Sequence, residues 1–354
     1  MLMRKWLTAL KQWFLDKTIG VMIFFAIFWT FVIIIAIPLL YITIKENIFD
    51  FRDKHPERGA AVMPTDSFGD SFTSTVYLDQ GWKPEQSLWF YSTTQGSDLL
   101  PYDFFMEVEQ VGKTALFRDN DNINRYRYLP SVATKSNPDG LPVGFVKDVF
   151  RGTDYIGYTC AACHTGQVNY KGVGIRIDGG PASADLDSFV RDLAAALKAT
   201  QTNPDVRDRF VQRVLKRGNY ESEKEVLEAL QYASQELATY NIVNASSTTY
   251  GYARLDAFGR IYNRVLEHAL TADQFREFLK DVVPPQKLDV ILGKDNNTLS
   301  GIQRDQIFAM LTPEQLKAFK EKITNEPNAP VSYPFLWDIP QHDYVQWNGL
   351  ASNA

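Results

Sequence analysis

The sequence predicts a mainly α-helical protein: an N-terminal transmembrane helix followed by a helical domain with long loops. Three observations carry that expectation. Residues 19–44 hold no charged side chain, apolar residues beyond position 180 recur at helical spacing, and strand-like alternation is confined to short pieces. With 45% hydrophobic and 22% charged residues in 354, the composition is that of an ordinary globular chain. Collagen-like, low-complexity and largely disordered classes are thereby excluded. A net charge of −5 supplies no basic field for a nucleic-acid backbone, so no nucleic-acid partner is expected.

The first element follows from length and charge. About twenty apolar residues cross a hydrocarbon core of about 30 Å, so residues 19–44 can span one. Pro38 falls near the far end of the run, where a freed carbonyl is tolerated. The run exceeds the ~7–15-residue core of a signal peptide, and no small-x-small cleavage site follows Leu40. An uncleaved anchor is therefore expected. Before it stand Arg4, Lys5, Lys11 and Lys17 against Asp16, whereas the charges of residues 45–58 cancel. The positive-inside bias then keeps the N-terminus cytoplasmic and exports the remainder. In a bacterium this describes a single-pass protein of the cytoplasmic (inner) membrane, embedded through residues 19–44, with its main domain in the periplasm.

The expected organisation is an anchor at residues 1–45, a linker or stalk at 46–75 and an exported domain at 76–354. The stalk rests on turn chemistry at His55-Pro56, Met63-Pro64 and Ser67-Phe68-Gly69. Trp82, Trp89, Phe90, Tyr91, Tyr102, Phe104 and Phe105 follow, punctuated by Gly81, Pro84, Gly96 and Pro101. Core packing is their expected role, and the wall of a flat ligand's pocket the alternative. Residues 137–142 read as a loop. Leu186, Phe189, Val190, Leu193 and Leu197 mark a helix that Asn203-Pro204 stops, and further helices are expected around 205–216 and 222–240. Residues 254–270 form an amphipathic helix with Leu255, Phe258, Tyr262, Val265 and Ala269 on its apolar face. Thr271 with Gln274, and Thr312 with Gln315, are capping boxes. The best strand signal is Gly174-Ile175-Arg176-Ile177-Asp178.

Only two cysteines are present, and they lie in Tyr158-Thr159-Cys160-Ala161-Ala162-Cys163-His164-Thr165. Cys-x-x-Cys-His is the attachment pattern of c-type haem. Two thiols must add to two vinyl groups, and two intervening residues let one turn present both. The next residue falls beneath the iron, where its imidazole is the proximal ligand. Cys160 and Cys163 are thus the expected attachment residues and His164 the expected iron ligand, for one covalently attached haem c. Three rivals remain. A zinc site needs about four ligands, and only His55, His268 and His342 remain to join, far apart in sequence. A thioredoxin-like dithiol needs a strand, the motif and a helix start within βαβ units. A structural disulfide between the two cysteines is the third.

The distal side of the haem decides between electron carriage and small-molecule activation. His268, His342, Met106 and Met310 are the candidate sixth ligands. His268 lies off its helix's apolar face, the two methionines lie among apolar neighbours, and His55 belongs to the stalk. His342 stands in an aromatic, proline-fixed segment, residues 333–349, as either a packed loop or a distal ligand or acid–base group. An open or water-bound iron would favour peroxide or dioxygen chemistry.

Several stretches together resemble the rubber-oxygenase-like branch of the di-haem cytochrome c peroxidase superfamily. They begin at Gln95-Gly-Ser-Asp, Asn137-Pro-Asp-Gly, Cys160-Ala-Ala-Cys-His-Thr-Gly, Arg176-Ile-Asp-Gly-Gly-Pro and Gly251-Tyr-Ala-Arg, and include the loop from Trp337 to Gly349. The resemblance covers roughly residues 75–354. It implies a mainly helical, cytochrome-c-like periplasmic haem oxidoreductase. It also implies Cys160, Cys163 and His164 at the N-terminal haem, with Phe335 and Trp337 in the aromatic region near it. His342 and Trp337 are accordingly the expected catalytic residues. Members of this group usually carry two haem motifs and this chain has one. The expectation is either the front part of a longer protein, its second haem domain lying beyond residue 354, or a mono-haem version. A membrane-anchored c-type cytochrome that passes electrons to a redox partner protein is the leading expectation. A peroxidase- or oxygenase-type haem enzyme with an open distal site is the alternative.

Overall fold

An uninterrupted run of apolar side chains makes the N-terminal segment one long helix. The structure, a computed structural model, describes residues 2–44, 56–65, 71–150, 152–337, 339–345 and 351–352. It divides into two units, Met1–Arg52 and Asp53–Ala354. The first contains α1 (Leu2–Phe31), a π-helical turn at Val32–Ala36, and α2 (Ile37–Ile44). Pro38 accounts for the π-turn, because proline lacks an N–H and its ring crowds the carbonyl four residues back. The hydroxyls of Thr18 and Thr30 donate to the carbonyls of Phe14 and Ala26, at 2.8 and 2.7 Å. No polar atom of theirs then needs water. The stretch Met3–Ile42 is long and apolar enough to cross a membrane, as one anchor or a signal sequence would be.

The second unit is mainly helical with small sheets. In order it contains β1 (Ser74–Tyr77), α3 (Pro84–Ser92), β2 (Leu100–Pro101), α4 (Tyr102–Glu107), α5 (Asn120–Arg125), β3 (Phe145–Phe150), β4 (Thr153–Tyr158), β5 (Thr165–Tyr170) and β6 (Val173–Asp178). Then come α6 (Leu186–Thr202), α7 (Pro204–Arg217), α8 (Glu223–Val243), β7 (Arg254–Leu255) and α9 (Ala257–Ala269). The last elements are α10 (Ala272–Leu279), α11 (Pro285–Leu292), α12 (Gly301–Phe308), α13 (Pro313–Ile323), β8 (Val331–Ser332), β9 (Tyr344–Val345) and β10 (Ala351–Ser352). Asn203 divides α6 from α7 as expected, its side chain accepting from the N–H groups of Asp205 and Val206 while Pro204 starts the new helix. The capping boxes at Thr271 and Thr312 both form.

Two hydrophobic cores result. One joins α4, α6, α7 and α8 to the aromatic residues of β3 and β4; the other is enclosed by α10 to α13. Tyr102, Phe104 and Phe105 are core residues, but Trp89 is 70% exposed, so the aromatic stretch divides between interior and surface. Of the expected 46–75 linker, residues 46–55 and 66–70 lie outside the described residues. Ala60 and Met63 form bridges with Ser131 and Phe72, and β1 pairs with β6.

Strand content exceeds the expectation. β2, β4 and β3 form an antiparallel sheet, and β1, β6 and β5 a second one in which β1 runs parallel to β6. β6, the one strand the sequence signalled, packs by its polar face. In β6 the buried positions are Gly174, Arg176 and Asp178, while Val173, Ile175 and Ile177 are only half-buried. The β5–β6 turn is Lys171-Gly172, both with positive φ, a pair whose twist suits a two-residue hairpin.

A similar inversion governs α9. Its buried residues are Arg260, Asn263 and Glu267, whereas Ile261, Tyr262 and Val265 are exposed, so the expected apolar face is not the packed one. Specific polar bonds outweigh apolar burial here. Arg260 donates to Tyr240 and Asp187, and the Asn263 amide both donates to the Asn325 carbonyl and accepts from its N–H. His268, at the end of α9, is exposed as expected.

Candidate functional site

The Cys-x-x-Cys-His segment connects the two sheets. β4 ends at Tyr158, Thr159 caps a short 3-10 turn at Cys160–Ala162, and β5 begins at Thr165. The Cys160 carbonyl accepts from the N–H of Cys163 at 3.3 Å and of His164 at 3.0 Å. One turn therefore carries both thiols and the imidazole. Neither cysteine is in a disulfide; Cys160 is exposed and Cys163 half-buried. A redox dithiol of the thioredoxin kind starts a long helix at its first cysteine. Here the turn is three residues long and leads into an antiparallel strand.

Close backbone packing fixes this turn from behind. The Gly144 carbonyl accepts from Thr159 N–H at 2.8 Å, and a Cβ on Gly144 would stand 2.0 Å from Ala162 N. Gly144 also has a φ of +81°, so only glycine serves. Opposite, the Cys163 carbonyl accepts from Ala182 N–H at 3.0 Å.

The decisive partner of His164 comes from far along the chain. His164 Nδ1 lies 2.7 Å from the Pro334 carbonyl oxygen. A carbonyl only accepts, so Nδ1 carries the proton and Nε2 keeps its lone pair. That is the tautomer in which a histidine ligates a metal through Nε2 while its other nitrogen is held by a second partner. Burial pushes the imidazole below its ordinary pKa, an effect that the Pro334 bond opposes. The ring is thus biased toward the neutral form.

Pro334 belongs to a strap, residues 333–337, fastened at both ends. Tyr333 is buried, with its hydroxyl 3.4 Å from the Ala184 carbonyl. Leu336 N–H donates to the Gly179 carbonyl at 2.8 Å, and Trp337 Nε1–H to the Asp178 carbonyl at 3.1 Å. The Trp337 ring also stacks on Phe335, with centroids 5.5 Å apart. Asp178 is itself immobilised: its carboxylate accepts from Ser87 Oγ at 2.6 Å and from the Tyr91 hydroxyl. Neighbouring Arg176 is fully buried and donates to Gln167 at 2.9 Å and to the Pro130 carbonyl at 2.8 Å.

An aromatic cluster backs the motif. Tyr128 and Tyr158 stack at 6.1 Å, both against Phe145 and Phe189. Burial raises both phenols well above the ordinary tyrosine value. The Cys163 thiol, pressed against this core, is pushed up to about 12 by burial and by Cys160. It is an uncharged thiol at neutral pH.

Of the residues singled out from sequence, Cys160, Cys163 and His164 share one turn, and Trp337 reaches that turn through the strap. Trp337 spends its only donor on the Asp178 carbonyl. His342 is exposed, and its described bond is its backbone N–H to Ile339. Met106 is buried in the first core and Met310 packs against the second. His55 lies outside the described residues. Among the described residues, no three or more His, Cys, Asp or Glu side chains form a group able to hold a metal ion. Sequence reasoning missed Pro334, Gly144 and Gly179 as parts of the site. Their signals were a Tyr-Pro step, and glycines next to the motif's neighbouring turns.

No protein-family model matches the sequence, and no solved structure does. The chain is similar to an uncharacterized protein, y4iJ, of Sinorhizobium fredii (strain NBRC 101917 / NGR234). The two are 27% identical over 300 residues, covering 77% of this chain and 41% of the relative. The chain thus spans about two fifths of the length of that relative.

Proposed function

We propose that the protein is a membrane-anchored c-type cytochrome that passes electrons at the outer face of a bacterial cytoplasmic membrane. The observation that carries this reading is the 2.7 Å approach of His164 Nδ1 to the Pro334 carbonyl. It leaves Nε2 as a free imidazole donor directly after two thiols on one turn, the donor set that covalent haem requires. Cys160 and Cys163 would hold the group through thioethers, and His164 Nε2 would be its protein ligand. When bound, haem supplies a one-electron couple. The chain's own contribution is to keep one tautomer, to orient the ring through the strap, and to back the motif with the aromatic cluster of Tyr128 and Tyr158. The apolar N-terminal helix would hold the domain at the membrane, with the basic residues before it on the cytoplasmic side. A redox protein would be the partner.

The test is expression of the full chain with a haem-c maturation system. The wild type should keep haem on a denaturing gel and show the absorption bands of a c-type cytochrome. A Cys160→Ser, Cys163→Ser double variant should lose both. A wild type without covalent haem under these conditions would end the proposal. A high-spin ferric spectrum that changes with peroxide would replace the carrier with an enzyme.

A further inference from the structure

We infer that Trp337 is a positioning residue for His164, fixing the imidazole and thereby setting the potential of the iron it binds. The inference rests on the haem reading and adds to it a residue that touches neither thiol nor imidazole.

The geometry is a closed circuit. His164 is followed by Thr165, the first residue of β5, which pairs with Asp178 at the end of β6. The Asp178 carbonyl accepts the Trp337 indole N–H at 3.1 Å. From Trp337 the strap runs back three residues to Pro334, whose carbonyl returns to His164 Nδ1 at 2.7 Å. Leu336 N–H on the Gly179 carbonyl, 2.8 Å away, braces the circuit in the middle. Strap and histidine are therefore fastened to the same β5–β6 hairpin, and movement of that hairpin carries donor and acceptor together. Trp337 is the side-chain bond in this circuit on the strap side. Without it, the strap beyond Leu336 has no described hydrogen bond to the hairpin.

Gly179 belongs to the same device. Its φ is +73°, and a Cβ there would stand 3.1 Å from Trp337 Nε1 and 3.4 Å from Cδ1. A side chain at 179 would push the indole from the Asp178 carbonyl while leaving Trp337 in the sequence. Two independent substitutions thus reach one bond.

The chemical consequence has a sign. A held Nδ1–H···O bond gives the imidazole more basic character and strengthens its donation to iron. Stronger donation favours the ferric state. Loosening the strap weakens the bond and favours the ferrous state, so the potential rises.

The experiment uses the full chain in detergent. Trp337→Phe keeps the aromatic stack on Phe335 but removes the donor; Gly179→Ala displaces it; Trp89→Phe is the control at an exposed position. Both test variants should retain covalent haem and native circular dichroism. Each should shift the ferric–ferrous equilibrium about tenfold toward ferrous, a rise of about 59 mV for one electron, and the control should not. A haem-independent measurement accompanies it: ¹⁵N NMR of the His164 ring in chain made without haem. The wild type should show the Nδ1–H tautomer alone and Trp337→Phe a mixture of tautomers. Unchanged potentials in haem-loaded variants, or an unchanged tautomer in Trp337→Phe, would overturn the inference. If the wild type takes up no haem, the haem reading falls by itself and the NMR result decides whether Trp337 positions His164.

Discussion

His164 Nδ1 and the Pro334 carbonyl oxygen are 2.7 Å apart across 170 residues of sequence. That contact joins the turn bearing both cysteines to the strap at residues 333–337. In chain without haem, His164→Ala should cost about 1 kcal/mol, the ordinary net worth of one hydrogen bond. Denaturant unfolding followed by tryptophan fluorescence measures it. With haem present, the same variant should keep both thioethers but lose the spectrum of an imidazole-ligated iron.

A larger loss is expected at Gly144. An alanine there must adopt a φ of +81° and place its Cβ 2.0 Å from a backbone nitrogen, which no side-chain rearrangement relieves. Gly144→Ala should destabilise the second unit by about 3 kcal/mol or more. Because the Ala162 backbone is the obstructing group, haem attachment should fall as well. Paired melting curves and haem-stained gels would show both effects. Gly152→Ala, also at positive φ but with open space around its Cβ, should cost less.

Stability should also depend on pH through Glu236. Burial, then the charge of Asp305, raises its pKa to about 7, against the opposing pull of Arg264 and Arg304. The folded chain therefore keeps a proton that the unfolded chain releases near 4.5. This contribution is fully present below that value and is lost as pH rises through about 7. Glu236→Gln should flatten the decline between those limits. Unfolding midpoints of the two proteins across the window provide the comparison.

The N-terminal helix predicts a fractionation result. Full-length chain should stay in the membrane pellet after alkaline carbonate washing. Chain lacking residues 2–44 should appear in the supernatant. If the segment is instead removed as a signal, mass spectrometry of the mature protein will find no peptide containing Trp6 or Trp13.

Much of this was visible in the sequence where one local rule acted alone. The uncharged run, the Asn203-Pro204 break and the capping boxes at Thr271 and Thr312 all formed as expected. The motif also named its own turn. What stayed hidden depended on partners distant in sequence. β6 buries Arg176 and Asp178 because Gln167, Pro130, Ser87 and Tyr91 satisfy them, and no window around residue 176 contains all those partners. In α9, bonds from Arg260 and Asn263 to other segments turn the polar face inward and defeat the apolar stripe. The resemblance implied only that Phe335 and Trp337 lie near His164; the Pro334 carbonyl could not be read from the sequence as its hydrogen-bond partner, since no local pattern marks a backbone acceptor.

The length of that separation bears on the order in which the protein is built. The backbone hydrogen bonds that fix the turn at Cys160 run to Gly144 and Ala182, whereas the strap arrives only after α6 to α13 have been made. Contacts so remote in sequence form late, because the intervening chain must first be ordered. A maturation system acting on the emerging chain would meet two thiols and a histidine still free to turn, and the strap would lock the ring only afterwards.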